Sequence, residues 1–121
     1  MKYEWIDEYC LSKKGVEQDY KVEWQATRYM IRGKIFAMMG GDKNGRPIIT
    51  VKLAPSTGAQ LREEYPDIIP GYHMNKVHWN SLYLEGDVPE SVLKGMLDQA
   101  HSIVLNRLSK KVREEIIYPE S

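Results

Sequence analysis

The sequence predicts an α+β fold in two layers, an antiparallel sheet of about five strands with helices on one face. Short runs rich in β-branched and aromatic residues follow one another between residues 20 and 55. An Asn-Gly pair at 44–45 separates two of these runs, and this pair is the strongest short-range hairpin signal. Residues 89–108 instead repeat apolar side chains at helical spacing. The predicted order is helix, strand meander, helix, strand and long C-terminal helix.

The N-terminal half is predicted to form one helix followed by an antiparallel meander. Apolar residues between Trp5 and Cys10 recur at helical spacing, and Gly15 is typical of a helix end. The Asn-Gly hairpin then joins the last two strands of the meander, and in the final strand apolar and polar residues alternate. The predicted strands cover residues 20–24, 27–31, 33–41 and 48–55.

The C-terminal half is predicted to add a short helix, a strand and a long helix. The short helix covers 55–66, and Pro66 ends it because proline disfavours helical geometry in the preceding residue. Residues 67–74 are predicted to be a loop, and Pro89 suits the first turn of the helix 89–108. In the strand at 76–86, two faces are expected: Val77, Trp79 and Tyr83 on one, and Lys76, His78 and Asn80 on the other.

Composition indicates one globular domain over residues 1–121. No apolar run approaches the roughly 20 residues of a membrane span, and the charged N-terminus does not resemble a signal peptide. A single cysteine, Cys10, gives no disulfide framework. We therefore expect a cytoplasmic protein that does not associate with membranes.

The charges are balanced overall but unevenly distributed. Seventeen Lys and Arg residues match seventeen Asp and Glu residues, which disfavours a protein that is basic all over. Residues 28–52, however, contain six basic residues and a single acidic residue, Asp42. One face of a neutral molecule can therefore be positive.

The segment 70–80, PGYHMNKVHWN, concentrates polar and aromatic side chains of the types found in metal sites, catalytic dyads, nucleic-acid contact surfaces and ordinary loops. His73 and His78 are five residues apart with no cysteine nearby, so their spacing does not favour a zinc site. The sequence has no nucleophile elbow, Walker motif or dinucleotide-binding glycine pattern, and Cys10 is expected to be a buried apolar residue. We expect no enzyme activity, metal or cofactor; the alternative at this segment is an enzyme or small-ligand protein that uses a pocket at His73 and His78.

Three ordered segments, GKIFAMM (33–39), VKLAP (51–55) and LREEYPDIIPGYHMNKVHWNSLYLEGDVP (61–89), resemble the MmcQ/YjbR-like family. The resemblance extends from the first helix to the last. It implies an α+β fold similar to that of type III secretion chaperones and of CyaY, a frataxin-like protein. It also implies DNA binding through a double-wing arrangement.

The sequence and the resemblance together predict a non-enzymatic DNA-binding protein with a regulatory or accessory role. Contacts are expected from a basic and polar sheet face, with the hairpin at 42–47 as a wing. The alternative is a chaperone-like protein-interaction module without nucleic-acid affinity, which uses a sheet edge or an apolar patch. A monomer or weak homodimer is expected. The predicted DNA-contacting residues are Lys34, Lys52, His73, Lys76, His78 and Asn80.

Overall fold

The computed structural model describes residues 3–71 and 75–119, which form an antiparallel sheet of six strands together with four α-helices. The predicted α+β class, the strand meander and the long C-terminal helix are confirmed. Within the described residues, no helix is both long and apolar enough to cross a membrane. In chain order the elements are α1 (Trp5–Leu11), β1 (Val16–Lys21), a 3₁₀ turn (Val22–Trp24), β2 (Ala26–Ile31), β3 (Lys34–Gly41), β4 (Pro47–Lys52), α2 (Pro55–Glu64), β5 (Ile68–Pro70), β6 (Trp79–Tyr83), α3 (Glu90–Arg107) and α4 (Lys110–Ile117).

The strands lie in the order β1-β2-β3-β4-β6-β5, and every neighbouring pair is antiparallel. Arg32 and Gly33 join β2 to β3 with φ values of 49° and 80°, the geometry that a two-residue hairpin turn requires. The predicted Asn-Gly hairpin joins β3 to β4. There, one carboxylate oxygen of Asp42 accepts hydrogen bonds from the backbone N–H groups of Asn44 and Arg46, each at 2.9 Å.

The helices pack on one face of the sheet, and the core lies between the two layers. On the other face, which we call the helix-free face, the strand register aligns one side chain from each strand in a single row. The buried core includes residues from α1 (Ile6, Cys10), α3 (Leu93, Met96, Leu97, Ala100, Val104), α4 (Ile116) and the strands (Tyr29, Ile31, Phe36, Ala37, Ile49, Val51, Leu82). The row on the helix-free face is Asp19, Arg28, Met38, Thr50, Ser81 and Ile69.

A β-bulge interrupts the register between β2 and β3. Tyr29 pairs with Ala37 and the next residue, Met30, pairs with Ile35, so Phe36 is an extra residue. Phe36 and Ala37 are both fully buried in the core, and the Phe36 ring meets the ring of His101 edge-on at 5.7 Å. Consequently, residues of β3 before the bulge have the opposite alternation from those after it.

Several element boundaries differ from those predicted. Helix α1 ends at Leu11 rather than near Gly15, and β1 begins at Val16 rather than at residue 20. The predicted loop at 67–74 contains β5, a three-residue edge strand that makes the sheet six-stranded rather than five-stranded. After the last predicted helix comes α4, which was not predicted, and its N-cap Ser109 accepts a hydrogen bond from the Val112 N–H at 3.2 Å.

Candidate functional site

A cleft of about 530 Å³ lies at one end of the sheet, where the β2–β3 turn, the end of β4, the start of β6 and the last turn of α3 meet. We call it the basic cleft because the charged side chains among its described lining residues are all cationic. Those lining residues are Gly33, Lys34, Ile35, Lys52, Trp79, Val104, Arg107 and Leu108.

Each cation of the basic cleft is placed by the end of a different element. Lys34 is the first residue of β3, immediately after the tight turn at Gly33. Lys52 is the last residue of β4 and pairs with Trp79, the first residue of β6. Arg107 is the last residue of α3. The three positive side chains converge because these elements end at the same edge of the two layers.

The electrostatics of the basic cleft favour an anion. Burial lowers the pKa of Lys52, and the positive charges of Arg107 and Lys34 lower it further. The Lys52 ammonium lies 5.8 Å from the centre of the Trp79 ring, a cation–π distance. Lys34 and Arg107 are exposed to solvent. Like charges placed together without an acidic neighbour raise the local positive potential, so an anion that enters the cleft is stabilised.

Of the predicted contact residues, the structure brings Lys34 and Lys52 together in the basic cleft. Lys76 is exposed, and its ammonium donates a hydrogen bond to the Gly71 carbonyl at 3.1 Å. His78 is half-buried, and its backbone carbonyl accepts a hydrogen bond from the Leu53 N–H at 2.8 Å. His73 lies outside the described residues. DNA contact by these side chains stays a prediction.

The predicted outward orientation of Asn80 is wrong. Its side chain is completely buried on the helix side of β6, against Gly58 of α2. It accepts a hydrogen bond from the Arg62 guanidinium and donates one to the His78 carbonyl at 3.4 Å. The faces of β6 were misassigned because the strand is central and buried on both sides, so polarity does not report orientation. The buried Asn80 side chain therefore stabilises the fold, and Asn80 is not part of the candidate site.

Sequence reasoning missed Arg107 and assigned Trp79 no role beside the lysines. A basic residue in the last turn of a helix ordinarily complements the helix dipole, so Arg107 gave no separate signal. Trp79 was predicted to share a face of its strand with Val77 and Tyr83, and it is 8% exposed. It lies, however, on the helix-free face beside Lys52 and forms part of the cleft.

The opposite end of the sheet, which we call the hairpin end, has a second cleft of about 450 Å³ with a different electrostatic character. The Arg46 guanidinium lies 3.9 Å from the centre of the Tyr83 ring and also contacts the Asp42 carboxylate at 3.4 Å. Backbone hydrogen bonds within the hairpin, chiefly from the Arg46 N–H, lower the pKa of Asp42. Asp67 accepts a hydrogen bond from the Asp87 N–H at 3.0 Å. Arg46, Asp42 and Asp67 at the hairpin end therefore have partners within the fold.

Comparison with known proteins identifies the family. The family model described as YjbR matches residues 11–103. The chain belongs to the YjbR family. The predicted membership in an MmcQ/YjbR-like family is thereby confirmed. The YjbR match includes the whole sheet, so Lys34, Lys52 and Trp79 lie inside the matched segment and Arg107 lies beyond it.

YjbR relatives match most of this chain. The uncharacterized protein YjbR of Escherichia coli K12 is 32% identical over 110 residues, which cover 91% of this chain and 92% of the relative. The uncharacterized protein YbdF of Escherichia coli O157:H7 is 34% identical over 88 residues, which cover 73% of this chain and 71% of the relative.

Solved structures share the fold. The Deinococcus radiodurans protein DR2400, whose domain is described as DUF419, superposes with a TM-score of 0.83 at 25% identity, covering 96% of this chain and 88% of that protein. A protein from Pseudomonas syringae superposes with a TM-score of 0.74 at 20% identity, covering 86% of this chain and 99% of that protein. The second likeness shows the fold alone.

Proposed function

We propose that this protein is a non-enzymatic DNA-binding protein of the cytoplasm and that the basic cleft contacts DNA phosphates. The observation that supports this most directly is the convergence of Lys34, Lys52 and Arg107 from three elements, with no acidic residue among the described lining residues. Phosphate contacts supply most of the sequence-independent affinity for DNA. A local cluster of cations can provide such contacts although the molecule has no net charge.

The proposal places the contacts at the basic cleft rather than at the β3–β4 hairpin, which the resemblance suggests as a wing. The eight residues of β3 separate the two sites by roughly 25 Å, at about 3.3 Å per residue. At the hairpin, Arg46 is already engaged by Asp42 and Tyr83. At the cleft, Lys34 and Arg107 are exposed. Exposed cations are available to phosphate without breaking contacts that hold the fold.

Two exposed lysines at opposite ends of β3 provide a matched test. Lys34 follows the β2–β3 turn, and Lys43 lies in the β3–β4 hairpin. Affinity for a labelled DNA duplex is measured by fluorescence anisotropy at two salt concentrations for Lys34→Gln and for Lys43→Gln. Loss of one phosphate contact lowers affinity roughly tenfold near 0.1 M salt and reduces the salt slope by about 0.9. We expect this result for Lys34→Gln, a larger loss for Lys34→Gln combined with Lys52→Met, and no change for Lys43→Gln.

Equal losses for Lys34→Gln and Lys43→Gln would show that the cleft is not the specific contact surface. Absence of binding by the unmodified protein at low salt would remove DNA binding altogether.

A second candidate, a protein-interaction module, has one specific observation in its favour. Strand β1 is at an edge of the sheet, and apolar side chains at its end are exposed: Tyr20 by 58%, Val22 by 70% and Trp24 by 51%. An edge strand beside exposed apolar residues can receive a strand from a partner. Light scattering should then detect a homodimer that Val22→Ser and Trp24→Ser together convert to a monomer. A monomeric unmodified protein would count against self-association through this edge.

A further inference from the structure

The shape of the basic cleft distinguishes it from a surface that only follows a DNA backbone. Its volume of about 530 Å³ lies within the range of about 300–1,000 Å³ that is typical of small-ligand sites. A duplex presents phosphates in an extended row, and cations that bind such a row are spread along a surface. Lys34, Lys52 and Arg107 instead surround one concave space. This arrangement suits a single, highly charged group.

The apolar part of the lining suits a ligand in which an apolar group is attached to the charged group. Ile35 lies on the helix-free side of the cleft, and Val104 and Leu108 come from the end of α3. Trp79 is only 8% exposed, so its side chain contributes to the floor of the cleft and its ring is not free to stack on a base. A site that combines a few convergent polar groups with apolar walls orients a ligand that has both a charged part and an apolar part.

We propose that the basic cleft binds a phosphorylated nucleoside, with a phosphate monoester held by Lys34, Lys52 and Arg107 and the nucleoside against the apolar walls. The proposal rests on the proposed function, because it specifies which part of a nucleic acid the cleft holds. A monoester carries about −1.5 to −2 charges near neutral pH, more than an internal phosphodiester, and better matches three cations. The same chemistry occurs at a phosphorylated strand end and in a free mononucleotide.

The test compares five probes with the full-length protein. The first two are a labelled single strand phosphorylated at both ends and the same strand with hydroxyl ends, compared by anisotropy. The others are adenosine 5′-monophosphate, adenosine and inorganic phosphate, each followed by NMR at the backbone amides of Lys34 and Leu108. We expect the phosphorylated strand to bind roughly tenfold more tightly, as one additional phosphate contact predicts. The monophosphate should shift both amides at lower concentration than inorganic phosphate, and adenosine should shift neither.

Variants locate the effect in the cleft. Arg107→Gln should abolish the preference for the phosphorylated strand and Arg107→Lys should retain part of it, because lysine keeps the charge. The matched control Lys43→Gln removes a charge from the hairpin end and should leave the preference unchanged. Circular dichroism verifies that each variant is folded.

The outcomes separate this inference from the proposed function. Equal binding of the two strands, with no amide shift from the monophosphate, would overturn the inference while DNA binding stands. Binding of the monophosphate without binding of either strand or of a duplex would support the inference, with a free nucleotide as the source, and would reject the proposed function. Equal effects of the monophosphate and inorganic phosphate would overturn the role of the apolar walls. Failure of every probe, together with failure of the labelled duplex to bind, would reject both proposals.

Discussion

The two ends of the sheet use charged residues in opposite ways. At the hairpin end, the Asp42 carboxylate accepts backbone hydrogen bonds that close the turn, and Arg46 lies between Asp42 and the Tyr83 ring. At the basic cleft, Lys52 is near two further cations, and the described lining residues include no carboxylate. Charged residues thus stabilise the fold at the hairpin end, whereas at the basic cleft the like charges repel one another.

This difference indicates where to look for function. A charge that has partners within the fold is explained by stability alone. Repulsion between like charges that rigid elements hold close together lowers the stability of the fold, and such clusters are typical of ligand-binding sites. The comparison therefore predicts opposite effects on stability when charge is removed at the two ends.

The largest expected effect is a loss of stability when the buried side chain of Asn80 is removed from the helix side of β6, the strand that borders the cleft. Asn80→Ala should lower the free energy of unfolding by about 1–3 kcal/mol, because Arg62 loses a buried hydrogen-bond acceptor. Chemical denaturation measures this loss, and Asn106→Ala, at an exposed position of α3, is the control that should have little effect. Folded Asn80→Ala protein should bind DNA as the unmodified protein does. A loss of affinity without a loss of stability would return Asn80 to the site.

Removal of charge at the hairpin end should destabilise the protein by a smaller amount. Asp42→Ala removes the acceptor of the Asn44 and Arg46 N–H groups, so we expect the Tm to fall by a few degrees at neutral pH. Because the folded pKa of Asp42 is lowered, its stabilisation is complete above the ordinary carboxyl pKa and disappears as the pH falls through the folded pKa. The difference in Tm should therefore close in acid, and a pH-independent difference would contradict this account.

Removal of charge at the basic cleft should leave stability unchanged or slightly higher. Lys52→Met retains an apolar stem beside Trp79 and removes a charge that its neighbours disfavour. Since the folded pKa of Lys52 is lowered, the unmodified protein should gain stability relative to Lys52→Met as the pH rises from that pKa towards the ordinary lysine value of 10.5. Thermal unfolding across this range measures the effect. Clear destabilisation by Lys52→Met at neutral pH would remove the contrast between the two ends.

The smallest expected effect is a pH dependence of affinity. As the pH rises through the lowered pKa of Lys52, the cleft loses one positive charge, so DNA binding should weaken. Lys52→Arg keeps its charge throughout and should bind with a flatter pH profile. Anisotropy titrations between neutral and alkaline pH compare the two proteins. Parallel profiles would show that Lys52 does not contact phosphate.

The sequence predicted the elements whose local pattern is strong. Helix α3 was predicted at 89–108 and is observed at Glu90–Arg107, because its apolar side chains recur at helical spacing. Strand β5 was missed because it is only three residues long and ends in Pro70, which a strand tolerates at a sheet edge. Ser109 is a residue type typical of a helix N-cap, but few apolar residues form the buried face of α4, so its sequence pattern is weak.

The candidate site was predictable only in part. Lys34 and Lys52 were identified because basic residues accumulate between 28 and 52, where the predicted strands bring them near one another. Arg107 joins them through the packing of a helix against the sheet, a tertiary contact that no local pattern encodes. Asn80 was misplaced because alternation distinguishes two faces only where one of them is exposed to water.

The β-bulge at Phe36 has a consequence for how this site can be gained or lost. A strand alternates its side chains between two faces, and the extra residue shifts this alternation by one, so Lys34 pairs with Ile31 on the helix side. Lys34 thereby lies on the side where α3 ends at Arg107. Deletion of Phe36 would remove the bulge but leave Lys34 paired with Ile31, so the three cations should stay together. A strand of the same length that paired regularly through Phe36 would instead place Lys34 on the helix-free face, in a protein with the same outline. Likeness of fold alone is thus a poor guide to which homologues keep the cleft.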